Sequence, residues 1–187
     1  YKLYVLKKKN ENEYERIATL TSPALEQSKT PPILAAAKKQ PDTLFVYAAV
    51  SSHLLLWKVN NTSVVKDNVA AVSSFELAEQ QNVTVLSVRY ETRAVILVGT
   101  KAGDVYYGVQ GVVPITINLH KVSPSSSKDG ILKKLWNNVQ YHEPSSSIVS
   151  IDIRENSFVS VSESGRTVEW NANVSGITPS FKMMEQR

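Results

Sequence analysis

Ala94 to Gln110 reads A-V-I-L-V-G-T-K-A-G-D-V-Y-Y-G-V-Q, and the fold of the chain turns on how this stretch is read. A short apolar run, Ala94 to Val98, enters Gly99-Thr100. A tight turn follows at Lys101-Ala102-Gly103-Asp104, and Val105-Tyr106-Tyr107 leaves it. An apolar run of this length bounded by turn residues predicts a strand buried on both faces. Gly103 supplies the positive φ that a hairpin turn demands, so the two runs are expected to be antiparallel neighbours. Two strands alone bury too little surface to be stable in water, so the unit must have company.

The unit recurs. Upstream, Thr43 to Val50 is followed by Ser51-Ser52-His53 and then Leu54-Leu55-Leu56-Trp57-Lys58-Val59. Downstream, Ser157 to Glu163 is followed by Ser164-Gly165-Arg166 and Thr167-Val168-Glu169-Trp170. Each copy has a further apolar strand ahead of it: Ile33 to Ala36, Val83 to Val88 and Ile148 to Ile153. Strand starts at 44, 94 and 157 put the first interval at the top of the ~40–50 residue range of propeller blades and make the second longer. The pattern predicts an all-β, WD-like β-propeller, partial, with about three to three and a half blades in view. Its parts are outer strands of a preceding blade (1–20), blades at 33–75, 83–122 and 148–187, and an insertion at 123–147. Trp57, Tyr106, Tyr107 and Trp170 close the strand pairs and are expected to pack between blades rather than bind ligand.

The 187 residues are 42% hydrophobic and 20% charged, an ordinary globular composition with enough apolar content for a sizeable core. Seven glycines are few for an all-β chain, and the recurring serine pairs take over some turn positions. The formal charge is +4, with clusters at Lys7-Lys8-Lys9, Lys38-Lys39 and Lys133-Lys134. No basic stripe with interleaved aromatics on a recognisable module accompanies them, so no specific nucleic acid is expected. Cysteine is absent, which excludes disulfides and thiolate metal sites and suits an intracellular protein. Asn60, Asn61, Asn82 and Asn173 sit in N-x-S/T patterns that read as chance matches. No apolar run reaches the ~18 residues needed to span a bilayer. Tyr1 stands inside what reads as a strand, which predicts a piece of something longer.

Along the chain, Leu3 to Leu6 and Arg16 to Leu20 read as two strands joined by the polar Lys7 to Glu15, the outer pair of a blade whose inner strands lie upstream. Thr21 to Pro32 reads as a loop with three prolines. Glu76 to Asn82 is a loop or a short helical turn, and the sequence leaves this open. Ile115 to Leu119 is the expected outer strand of its blade, with Pro114 at the strand start. Ile177 to Met183 is the expected last outer strand.

The insertion opens with Ser123-Pro124-Ser125-Ser126-Ser127 and closes with Pro144-Ser145-Ser146-Ser147. Within it Ile131, Leu132, Leu135, Trp136 and Val139 fall on one arc of ~140° at helical spacing. Lys133, Lys134, Asn137 and Asn138 fill the other side, and Asp129 is placed to cap the first turn. This predicts a short amphipathic helix between Ser/Pro arms. Its stripe packs on the propeller, meets a membrane or holds a partner protein. The candidate contact residues are therefore Ile131, Leu132, Lys133, Lys134, Leu135, Trp136 and Val139.

Chemistry is scarce elsewhere. His53, His120 and His142 are scattered, Asp152 and Glu163 lack an evident partner, and no phosphate loop, H-E-x-x-H or G-x-S-x-G occurs. No enzyme activity, cofactor, metal or small-molecule ligand is expected.

With these motifs in hand, the order of features resembles the N-terminal propeller of the large scaffold nucleoporins, those with a propeller followed by a helical stack (Y-complex or inner-ring members). Leu55-Leu56-Trp57-Lys58-Val59 is similar to a family strand ending in I-W-K. Gly99-Thr100-Lys101-Ala102-Gly103-Asp104-Val105-Tyr106 is similar to a G-T-x-x-G-x-V/I-Y hairpin. Ser123 to Ser147 matches a Ser-rich insertion, and Ser147 to Ile151 with Ser162-Glu163-Ser164-Gly165 matches the blade after it. The match runs collinearly over roughly 44 to 170. The chain departs from the family in showing three whole blades and no helical stack.

The resemblance implies a structural scaffold of the nuclear pore complex at the nuclear envelope, serving protein and mRNA transport. Its partners would be neighbouring scaffold subunits, with a peripheral membrane contact through 130–139. Lipid-packing sensors have a Ser/Thr/Gly polar face, whereas Lys133, Lys134 and Trp136 suit an interfacial helix that favours anionic lipid. The alternative is a propeller adaptor for protein–protein interaction in ribosome biogenesis or trafficking, cytoplasmic or nucleolar.

Overall fold

The structure, a computed structural model, describes residues 1–40, 42–60, 65–78, 81–90, 93–122, 146–154, 157–173 and 180–184. The chain is all-β. Its elements run β1 (Leu3–Lys8), β2 (Tyr14–Thr21), α1 (Pro23–Gln27), β3 (Ile33–Gln40), β4 (Thr43–Val50), β5 (His53–Asn60), β6 (Lys66–Ala70), β7 (Ser73–Glu76), β8 (Val83–Tyr90), β9 (Ala94–Thr100), β10 (Val105–Gln110), β11 (Ile117–Lys121), β12 (Ile148–Ile153), β13 (Ser157–Ser162), β14 (Thr167–Asn173) and β15 (Ser180–Met184). Among the described residues four sheets form, β1-β2-β6, β3-β4-β5-β7, β8-β9-β10-β11 and β12-β13-β14-β15, and none of them closes on itself.

The last three sheets keep chain order as spatial order, apart from the displaced β6. This is what short hairpin connections enforce on antiparallel strands. Central strands are apolar on both faces: in β9, Ala94 and Ile96 to Thr100 are all buried, as are four successive residues of β5, Leu54 to Trp57. Burial without alternation means that both faces are covered, as the sequence predicts for Ala94 to Val98. β13 differs. Its buried positions are Phe158, Ser160 and Ser162, while Val159 and Val161 are half-exposed. The serines lie inside because Ser160 Oγ accepts the Trp170 indole N–H at 3.2 Å and Ser162 Oγ donates to the Arg166 carbonyl at 3.3 Å.

Three expectations need amending. Thr21 to Pro32 is not wholly loop: α1 forms there with Pro23 at its first turn and buries Leu25 completely. Pro114 does not start a strand but lies in the bend ahead of β11, where Gly111 N–H donates to Thr116 O at 2.9 Å. Lys66–Ala70, expected within the blade at 33–75, instead pairs in parallel with β2 (Leu20↔Val69, Thr21↔Ala70) and becomes the third strand of the first sheet. β7 takes the outer place on β5, with Leu54 opposite Phe75.

The chain divides into two compact units, Tyr1–Gln81 with Val88–Val95 and Val109–Asn118, and Asn82–Ser87 with Ile96–Gly108 and Leu119–Arg187. The core of the first unit joins Val5, Ala18 and Leu20 to Leu25 and to Ala48, Val50, Leu55, Trp57 and Val59. Trp57 is fully buried there, and its Nε1–H donates to the Thr21 carbonyl at 3.0 Å. In the second unit, Tyr107 stacks on Phe158 (6.2 Å between centroids) and Phe158 on Trp170 (6.1 Å). Both tryptophans are thus core, as the sequence predicts. Gly99 on β9 is tightly bracketed by side chains of β8 and β12: a Cβ there would lie 2.5 Å from Ile148 Cγ2 and 2.6 Å from Val85 Cγ1. Next to it the Thr84 hydroxyl donates to the Ile148 carbonyl at 2.6 Å.

Candidate functional site

The residues expected to make membrane or partner contact, Ile131, Leu132, Lys133, Lys134, Leu135, Trp136 and Val139, lie outside the described residues, as does the helix expected around them. The structure does define where that segment leaves and returns. On the leaving side Val122 is buried, and its N–H donates to Val105 O at 2.8 Å. On the returning side Ser146 Oγ accepts from Ser164 N–H at 3.1 Å, and Ser147 O accepts from Glu163 N–H at 2.8 Å.

The returning-side anchors belong to a repeated turn. After β9, Thr100 N–H donates to Asp104 O (3.0 Å), Gly103 N–H donates to Thr100 O (3.2 Å), and Lys101 N–H reaches Asn82 O (2.8 Å) just ahead of β8. After β13, Ser162 N–H donates to Arg166 O (3.0 Å), Gly165 N–H donates to Ser162 O (2.9 Å), and Glu163 N–H reaches Ser147 O just ahead of β12. Gly103 and Gly165 carry φ of 90° and 86°, a region that L side chains rarely adopt. T-K-A-G-D and S-E-S-G-R thus share one scaffold: a hydroxyl residue opening the turn, a glycine closing it, and one amide tying it to the start of its sheet. The turn between β4 and β5 is made differently, with Ser51 at φ 53° and Ser52 O accepting from Leu77 N–H at 2.9 Å.

Polar groups in the sheets are mostly structural. The buried Tyr47 hydroxyl donates to Gln110 Oε1, and burial, with a smaller contribution from Tyr90, holds its pKa well above the usual tyrosine range. His53 Nε2 lies 3.9 Å from Glu76 Oε2 at the surface, His120 is exposed on β11, and His142 lies outside the described residues. Asp152, without an evident partner in the sequence, pairs with Arg154 at 3.6 Å, while Glu163 is exposed. Among the described residues no group of His, Cys, Asp and Glu could hold a metal ion, and no helix is long and apolar enough to cross a membrane.

One surface escaped the sequence reading. In the β1–β2 hairpin, Tyr4 faces Thr19, Leu6 faces Arg16 and Lys8 faces Tyr14, with a bulge at Val5/Leu6. Positions 4, 6 and 8 lie on one face because side chains alternate along a strand. Tyr4, Leu6 and Tyr14 are more than half exposed. The Arg16 guanidinium lies 5.8 Å from the Tyr4 ring centroid and 3.5 Å from Asp67 of β6, which also accepts from the Thr19 hydroxyl. The signal was present as the alternation of Tyr4, Leu6 and Lys8, but it was absorbed into the expectation of a blade's outer strand pair.

No family model matches the chain, and no curated protein matches it either.

Proposed function

We propose that this chain is a non-enzymatic structural scaffold built from propeller-type blades. It would act as a component of the nuclear pore complex, docking to neighbouring subunits and touching the pore membrane through residues 130–139. The observation that carries the reading is the repeated unit. Two successive four-stranded antiparallel sheets use the same glycine-closed turn with the same amide tie, and aromatic residues on the third strand, Tyr107 and Trp170, are linked through Phe158. Repetition of one supersecondary unit is how propellers bury sheet faces that a single sheet leaves open.

A fluorescent fusion of the full chain tests the placement. Enrichment at the nuclear rim is the expected outcome; a diffuse cytoplasmic or nucleolar signal would replace the reading with the adaptor. For the membrane contact, the full chain is floated with small anionic and neutral vesicles beside a Leu135→Asp/Trp136→Asp double variant. The parent should float with anionic vesicles and the variant should stay in solution with its β-sheet circular dichroism intact. Absence of flotation with either vesicle would remove the membrane role.

A further inference from the structure

We propose that Tyr14 is a phosphorylation site, modified by a protein tyrosine kinase that reads carboxylates around its acceptor. Tyr14 opens β2 at the projecting end of the β1–β2 hairpin, where it is 59% exposed and every residue from Leu6 onward is exposed as well. That exposure comes from the hairpin's own composition, since K-K-K-N-E-N-E puts charge on both faces and leaves nothing to bury. The other described tyrosines are poorer acceptors. Tyr47, Tyr106 and Tyr107 are buried, and Tyr90 is half-buried. Tyr1 and Tyr4 are exposed, but Lys2 lies between them, the Arg16 guanidinium stands over the Tyr4 ring, and no carboxylate occurs before Glu11. Among the described tyrosines only Tyr14 combines exposure with carboxylates on both sides, Glu11 and Glu13 before it and Glu15 after it.

The hairpin also receives the product. The kinase moves the γ-phosphoryl group of magnesium-bound ATP onto Tyr14 Oη: the phenol proton passes to the kinase's carboxylate base, the new P–O bond forms, and the bond to the β-phosphate breaks to release ADP. Lys8↔Tyr14 is the last pair of the hairpin, so it can open into a kinase cleft without disturbing the buried Val5 and Ala18 further along. Once closed again, the phosphate faces Lys8 across the ladder, with Arg16 two residues on along the same face. Arg16 is held by Asp67 at 3.5 Å and Lys9 by Glu15 at 3.8 Å, while Lys8 has no carboxylate partner among the described residues. Lys8 is therefore the cation left to pair with the dianion. From Lys7 to Arg16 the chain holds four cations against three carboxylates. A phosphate of about −1.5 to −2 at neutral pH reverses the sign of this surface, and with it the charge of the partner that the surface attracts.

The test incubates the full chain with magnesium, ATP and a recombinant tyrosine kinase that prefers acidic flanks, and maps the modified residues by mass spectrometry. A free peptide of residues 7–18 is treated alongside. Tyr14 should be modified faster than any other tyrosine of the folded chain. A Glu11→Gln/Glu13→Gln variant with unchanged circular dichroism should be modified at least about fivefold more slowly. Phosphorus NMR of the modified chain should show the phosphate titrating at lower pH than in the modified peptide, and Lys8→Gln should remove that difference. Modification of the peptide but not of the folded chain, or of neither, would overturn the proposal. So would transfer to Tyr4 or Tyr141 at an equal or higher rate, or an undiminished rate in the glutamine variant. A phosphate that titrates as it does in the peptide would overturn the assignment of Lys8 as its partner.

Discussion

Two antiparallel ribbons of this chain are built alike and live differently. β4 and β5 pair without a break from Thr43↔Asn60 to Val50↔His53, and most of both strands is buried. β1 and β2 pair over a similar length with a bulge at Val5/Leu6, and beyond it every residue from Leu6 to Tyr14 is exposed. Hydrogen bonding does not separate them. Side chains do: L-L-L-W fills both faces of β5, whereas K-K-K-N-E-N-E at the end of the hairpin leaves no face worth burying. A strand pair becomes core when both faces carry apolar volume, and becomes a projecting surface when charge interrupts them.

The strongest way to break the comparison is Trp57→Ala. It removes the fully buried indole and its bond to Thr21 O, and should cost about 3–5 kcal/mol. A fall of less than 1 kcal/mol in chemical denaturation would mean that the tryptophan is not core. Next comes Gly99→Ala, whose new methyl would be forced against Ile148 and Val85, for roughly 2–3 kcal/mol. Gly165→Ala meets open space but keeps a φ of +86° and should cost about 1 kcal/mol. A reversal of that order would show that the junction at Gly99 relaxes freely.

Tyr47→Phe deprives Gln110 of its donor and should cost about 1–2 kcal/mol. The same position sets an alkaline limit. Burial first, then Tyr90, raises the Tyr47 pKa in the folded state. Its stabilising contribution is therefore complete below the ordinary tyrosine value near ~10 and is lost as pH rises through the folded value. Denaturation midpoints followed upward from about pH 9 should fall more steeply for the parent than for Tyr47→Phe; parallel curves would reject this account. The smallest effect belongs to the hairpin. Tyr14→Ala, at an exposed site, should change stability by no more than ~0.5 kcal/mol, and a loss near 2 kcal/mol would mean that the face is covered in the folded chain.

Much of this could be read from residues alone. The apolar run Ala94 to Val98, the glycine-closed turns at Gly103 and Gly165 and the burial of Trp57 and Trp170 follow from local composition, because hydrophobic periodicity and left-handed φ are properties of a few neighbouring residues. The repeat made them mutually reinforcing. β6 was not legible. K-D-N-V-A carries no pairing information, and its parallel place beside β2 depends on residues 45 or more positions away. Ser160 and Ser162 lie in a stretch that reads as a buried strand, but what their hydroxyls bond to is set by the neighbouring strand and turn. A serine inside a core makes sense only once Trp170 lies on the neighbouring strand with an indole N–H to satisfy. Tyr47 met Gln110 across 63 positions for the same kind of reason.

What the sequence by itself determined was the all-β class of the chain, where most of its described strands fall, and that Trp57 and Trp170 are core. The tertiary structure alone decided which strands share a sheet edge, which polar side chains are buried, and that Tyr4, Leu6 and Tyr14 stand exposed beside Arg16. The physical reason is range. Strand burial and turn geometry are set by neighbouring side chains, whereas edge pairing such as β6 on β2 and contacts such as Tyr47 with Gln110 depend on partners distant in sequence, which no local pattern names.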